Sequence, residues 1–173
     1  SEGHFLGTVL IARADEAADG STQIELIDGQ QRMVTTTLLL LAIRDRLAAC
    51  DGRLDGLDAQ AFEKKYLRAA DGSAKLDLSA DDAAALRMIL DRVSCETPAE
   101  EPTDDAGSDR ATADEIREAS YVGPNYDFFL SRLSKDETQL SKVWRGVKGL
   151  IVVCAQIEET DEPQLVFESL NSR

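Results

Sequence analysis

Two hydrophobic periods share this chain, and the places where one gives way to the other predict its elements. Gly7-Thr8-Val9-Leu10-Ile11-Ala12 is an apolar run of strand length, closed by a polar turn over Asp15–Gly20. Thr22–Ile27 then alternates, as Gln23-Ile24-Glu25-Leu26-Ile27, and is expected to return along the first strand as a hairpin partner. From about Gly29 to Ala49 the pattern becomes helical. Leu38, Leu39, Leu40 and Leu41 are apolar on every side, so this helix should be central and buried on several faces. Thr35, Thr36 and Thr37 are poor helix formers; their hydroxyls either bond back to the preceding turn or reach a bound phosphate or metal ion.

Ala59–Leu67 reads as a second helix and Lys75–Leu78 as a short strand. Ser79 or Asp81 can cap a third helix over Asp82–Val93. Residues 96–112 offer nothing apolar to bury; Pro98, Pro102, Gly107 and a series of acidic residues predict a mobile surface loop. Ala113–Leu133 is helical in pattern, with Gly123-Pro124 expected to break it and Asn125-Tyr126-Asp127-Phe128-Phe129 to restart it. A helix over Asp136–Val147 carries Trp144. The clearest strand of all follows, Leu150–Ile157. Thr160-Asp161-Glu162-Pro163 begins a last helix, with Val166, Phe167 and Leu170 toward the core. Glu168 and Asn171 stand three apart and can share one face of it. No internal repeat or heptad is present. The pattern is α+β: one domain over 1–173, with a small mixed β-sheet packed with several helices.

The junction between the second strand and the long helix is the first candidate for chemistry. It reads Asp28-Gly29-Gln30-Gln31-Arg32. Asp28 is a favoured N-cap residue, and Gln31 stands at capping-box spacing from it. A helix start is also a place to hold an anion, because its first N–H groups lack intrahelical partners and its dipole favours negative charge. Arg32 weighs toward the anion. A cation in the first turn opposes the dipole by roughly 0.3–1 kcal/mol, yet it gains from a ligand phosphate between itself and the helix end.

Composition narrows the classes. With 43% hydrophobic and 30% charged residues the chain reads as soluble and globular, and the run from Val34 to Ile43 is too short to span a bilayer. The net charge of −14 argues against a module that reads DNA, since phosphate contacts supply most nonspecific affinity. Cys50, Cys95 and Cys154 are scattered, which fits a reducing cytoplasm and excludes a structural zinc site. The lone His4 is expected to be structural, with no triad to be built around it. No Gly-x-x-x-x-Gly-Lys-Ser/Thr loop occurs, so a nucleotide site here would not be a P-loop. A nuclease centre lacks the histidine and lysine clusters it would need.

Asp28–Arg32, taken with His4-Phe5-Leu6-Gly7 and the closing Phe167-Glu168-Ser169-Leu170-Asn171-Ser172-Arg173, resembles the N-terminal domain of GmrSD-type restriction enzymes, a family related to the ParB/sulfiredoxin fold. Phe62-Glu63-Lys64-Lys65-Tyr66-Leu67 and the Asn125–Phe129 stretch fit as well, in the expected order. The resemblance implies a nucleoside-triphosphate-binding and hydrolysing regulatory domain of a phage-defence protein. It would be cytoplasmic and coupled to a nuclease domain in the same or a partner chain. It implies catalytic roles for Asp28, Gln31 and Arg32, with Gly29, Gln30, Glu168 and Asn171 around the nucleotide. Gln31 would orient the attacking water, and Glu168 or Asp28 would hold Mg²⁺ through water beside the phosphates. No dedicated protein metal site is expected, and the base is left open. Family members carry an upstream Ile-Pro-x-Tyr-Gln-Arg-like segment and continue with Gly after the closing motif. The chain is therefore expected to be a fragment with an incomplete site, binding nucleotide weakly, in the range of roughly 0.1–1 mM. The competing reading is a non-catalytic helical module that docks a partner nuclease domain, with Asp28–Arg32 serving only as a cap.

Overall fold

The computed structural model describes residues 3–16, 22–92 and 120–157. Three strands form one sheet: β1 (His4–Glu16), β2 (Thr22–Asp28) and β3 (Leu150–Ile157), in the order β2-β1-β3. β1 pairs antiparallel with β2, placing Ile11 opposite Leu26, and parallel with β3, placing Val9 opposite Cys154. The sheet is thus mixed, and the α+β expectation holds. β3 reads as an unbroken apolar run, as a strand in parallel pairing commonly does. It nevertheless sits at the sheet's edge, where Ile151 and Val153 stay about half exposed.

β1 is longer than its apolar run. Asp15 and Glu16, expected in the turn, extend the strand because Glu16 still pairs with Thr22. Two register shifts interrupt the β1–β2 ladder, and a third falls between Phe5 and Gly7 on the β3 side. The third shift bears on the candidate site.

Among the described residues there are five helices: α1 (Gln30–Ala49), α2 (Ala59–Tyr66), α3 (Ala80–Asp91), α4 (Val122–Arg132) and α5 (Glu137–Lys148). α1 matches its predicted span closely. Leu38, Leu41 and Leu47 on it are almost wholly buried, while Leu39 and Leu40 are only partly so. Asp58 starts α2 by accepting the Ala61 N–H at 2.8 Å. Asp136 does the same for α5, accepting the Gln139 N–H at 2.9 Å.

Two expectations are corrected. Lys75–Leu78 is not a strand. One isolated bridge, Arg68 to Ala74, and the Lys75 N–H donated to the Leu67 carbonyl tie this stretch back onto the end of α2. The alternation of Leu76 and Leu78 therefore buries them partly without a partner strand. The helix expected to restart at Asn125 starts at Val122, before Gly123-Pro124. Both residues lie in the first turn of α4, where a missing N–H costs nothing because that donor has no intrahelical partner. The acidic segment 96–112, the first part of the Ala113–Leu133 pattern, Cys95 and the last expected helix lie outside the described residues.

The chain forms two compact units, Ser1–Val34 with Arg145–Arg173, and Thr35–Trp144. The first contains the sheet, with Val9, Leu10 and Ile157 buried. The second has a larger core. In it Phe62, Tyr66 and Trp144 form an aromatic cluster with ring centroids 4.8 to 5.2 Å apart, and the Trp144 Nε1–H donates to Asp55 at 2.7 Å. Among the described residues no helix is long and apolar enough to cross a membrane.

Candidate functional site

The strand-to-helix junction is built around a glycine. Gly29 has φ +93° and is buried, and a Cβ placed on it would meet Val9 Cγ2 at 3.0 Å. Such a conformation with so little room favours glycine strongly. The Gly29 carbonyl then accepts the Arg32 and Met33 N–H groups at 3.0 and 3.1 Å and opens α1. Gly29, one residue after Asp28, is therefore where the helix begins.

Asp28 instead faces Arg32. Its Oδ2 lies 3.9 Å from Arg32 Nη1, and both side chains are more than a third exposed. The pair offsets the unfavourable placement of a cation in the first helical turn. At this exposure and distance it contributes little to stability by itself.

The stronger tie runs the other way. Arg32 Nη1 donates to the Thr8 carbonyl at 2.9 Å, bridging 24 positions of chain to the middle of β1. The guanidinium lies over Gly7, close enough that a Cβ there would sit 2.7 Å from Nε and 3.1 Å from Cζ. Gly7 has φ +127° and follows the register shift in the β1–β3 ladder. The His4–Gly7 and Asp28–Arg32 segments thus meet at one spot, the arginine of one seated on the glycine of the other.

The other expected residues are placed as follows. Gln30 is exposed and turns back, its Nε2 donating to the Leu26 carbonyl at 3.3 Å. Gln31 is exposed on the first turn of α1. Glu168 and Asn171 lie outside the described residues. Asp28, Gly29 and Arg32 come together with Gly7 and Thr8. His4 is an exposed residue at the start of β1, its backbone N–H bonded to the Gly149 carbonyl at 2.9 Å. Among the described residues no three His, Cys, Asp or Glu side chains gather where they could hold a metal ion.

Sequence reading missed two things. Thr8 supplies a carbonyl to Arg32, and no residue-type signal marks a backbone acceptor. The second is a charged core in the unit Thr35–Trp144. Arg44 is fully buried there and donates to Glu63 at 2.5 Å, to Asp45 at 2.6 Å, and to the Ile89 and Leu90 carbonyls that close α3. Arg68 bonds the other oxygen of Glu63 and reaches Asp91, 2.8 Å away. Burial pulls the Arg68 pKa down, but its bonds to the Asp91 and Glu63 carboxylates outweigh that and hold it above the usual value. Tyr126 donates its hydroxyl to Asp45, and burial first, then that bond, pushes its pKa well up. The network links α1, α2, α3 and α4 within the second unit.

One family model matches the chain. The family model described as "GmrSD restriction endonuclease, N-terminal domain" covers residues 1–173. The chain matches no curated protein and no solved structure.

Proposed function

The chain belongs to the GmrSD restriction endonuclease N-terminal domain family, and from that premise we propose that it binds, and with its remaining partners hydrolyses, a nucleoside triphosphate as the regulatory domain of a phage-defence protein. One observation carries the reading. The Arg32 guanidinium is held at the start of α1, beside the Gly29 turn, and its side chain is still 40% exposed. A delocalised cation beside a helix N-terminus suits a phosphate.

In this reading Arg32 grips phosphate oxygens, and the Gln30 and Gln31 backbone amides at the helix start add hydrogen bonds. Gln31, exposed on the same turn, orients the attacking water. Bound Mg²⁺ would neutralise charge on the phosphates. Asp28, partly open to solvent, would hold it through water, since magnesium takes one or two carboxylates with substrate oxygens. Gln30, Glu168 and Asn171 complete the nucleotide contacts. A nuclease domain in the same or a partner chain receives the signal.

Calorimetry with magnesium-GTP and magnesium-ATP tests this on the intact protein. Arg32→Ala is expected to weaken binding by about 10- to 100-fold, the loss of one strong charge-assisted contact. Unchanged affinity in Arg32→Ala would overturn the phosphate role and leave Asp28–Arg32 as a structural junction in an interaction module.

A further inference from the structure

We infer that Gly7 is a positioning residue for Arg32: the strand irregularity at Gly7-Thr8 forms a seat that aims the guanidinium. Two independent features support it. Gly7 has φ +127°, outside the range that side-chain-bearing residues adopt easily, and it directly follows the shift in pairing between Phe5 and Gly7. It is also where the guanidinium rests. Adding a single Cβ would bring carbon within 2.7 Å of Arg32 Nε, 3.1 Å of Cζ and 3.3 Å of Nη2. Those distances are too short to persist, and the flexible side chain would give way first.

The seat explains how a long, flexible arginine keeps one direction. The guanidinium occupies the space a Cβ at Gly7 would take, the Thr8 carbonyl fixes one end by accepting from Nη1, and the Asp28 carboxylate lies 3.9 Å off. Displacing the group from a ligand phosphate loses a charge-assisted contact worth up to about 100-fold in affinity. The inference rests on the phosphate reading of Arg32 only for its ligand arm, since the seat itself is a matter of packing.

The test is a double-mutant cycle of Gly7→Ala and Arg32→Ala in the intact protein, read by magnesium-GTP binding and by thermal unfolding. Gly7→Ala is expected to weaken binding by between about tenfold and 100-fold. In an Arg32→Ala background it should change binding no further, and its drop in melting temperature should shrink because the clash partner is gone. Equal effects of Gly7→Ala in both backgrounds would overturn the inference in favour of a purely backbone role, as would a chain that fails to fold in both. Normal binding by Gly7→Ala beside weakened binding by Arg32→Ala would overturn the seat and leave the phosphate role standing. If Arg32→Ala itself binds normally, the phosphate reading fails, and the seat stands or falls on the thermal coupling alone.

Discussion

At the scale of single residues, the charged core shows why burial is hard to read from a chain. Arg44, Asp45 and Arg46 follow the leucine run of α1 and look like the point where a helix surfaces. Yet Arg44 lies three residues from both Leu41 and Leu47, in line with the buried stripe. That spacing was the available signal. What makes burial of the charge tolerable is tertiary, in Glu63, Asp45 and two carbonyls of α3, which no local pattern announces. Tyr126 completes the network and gives it a pH dependence. Its pKa is raised in the folded chain, so its contribution is fully present below the unfolded value near 10 and is lost as pH rises above that. Between the unfolded and folded pKa values the loss is about 1.4 kcal/mol per pH unit. Tyr126→Phe is expected to cost about 1–3 kcal/mol at neutral pH, because Asp45 loses a donor. The variant should also flatten the alkaline limb. Urea unfolding from pH 7 to 11 measures both, and an alkaline slope as steep in the variant as in the parent would reject the assignment.

Elements were legible where local chemistry decides them. The span of β3 matches its apolar run, and α1 starts one residue from its expected place, because a glycine turn and a change of period both mark the junction. Gly123-Pro124 marked the start of α4 only to within a few residues, because the pair can either precede a helix or sit harmlessly in its first turn, and only the neighbouring fold chooses. The same limit applies to the candidate site. Asp28–Arg32 is visible as a strand-to-helix turn, but the Thr8 and Gly7 contacts of Arg32 depend on how β1 and β2 align, which sequence spacing does not give. Caps are a local device that can be tested alone. Asp58 bonds the Ala61 N–H of α2, an eight-residue helix with few internal bonds of its own. Asp58→Ala is expected to destabilise by about 0.5–2 kcal/mol, with Asp58→Asn restoring most of it. Equilibrium urea unfolding reads the difference, and a silent Asp58→Ala would mean that the tertiary contacts of Phe62, Glu63 and Tyr66 hold α2 in place without the cap.

Over the whole molecule, charge governs behaviour that no single contact explains. Nineteen lysines and arginines against 33 aspartates and glutamates leave a net −14. The strongest ion pairs are drawn inward, as with Arg44 and Glu63, and so are poorly screened by salt. The excess negative charge is not neutralised in that way, and it repels itself across the folded surface. Two opposing salt effects follow. Screening weakens exposed attractive pairs such as Asp28 with Arg32, each worth little, and it relieves the net repulsion. With an imbalance of this size, relief should win. Raising sodium chloride from about 10 to 100 mM shortens the screening length from about 30 to 10 Å, well within molecular dimensions. The melting temperature at neutral pH is therefore expected to rise across that range, and potassium chloride should do the same, since the effect is one of ionic strength. Magnesium chloride at equal ionic strength serves as the control for specific binding, because an extra rise would report divalent-ion capture rather than screening. A melting temperature that falls with sodium chloride would show that exposed ion pairs outweigh the net charge, and that the acidic excess is already compensated within the fold.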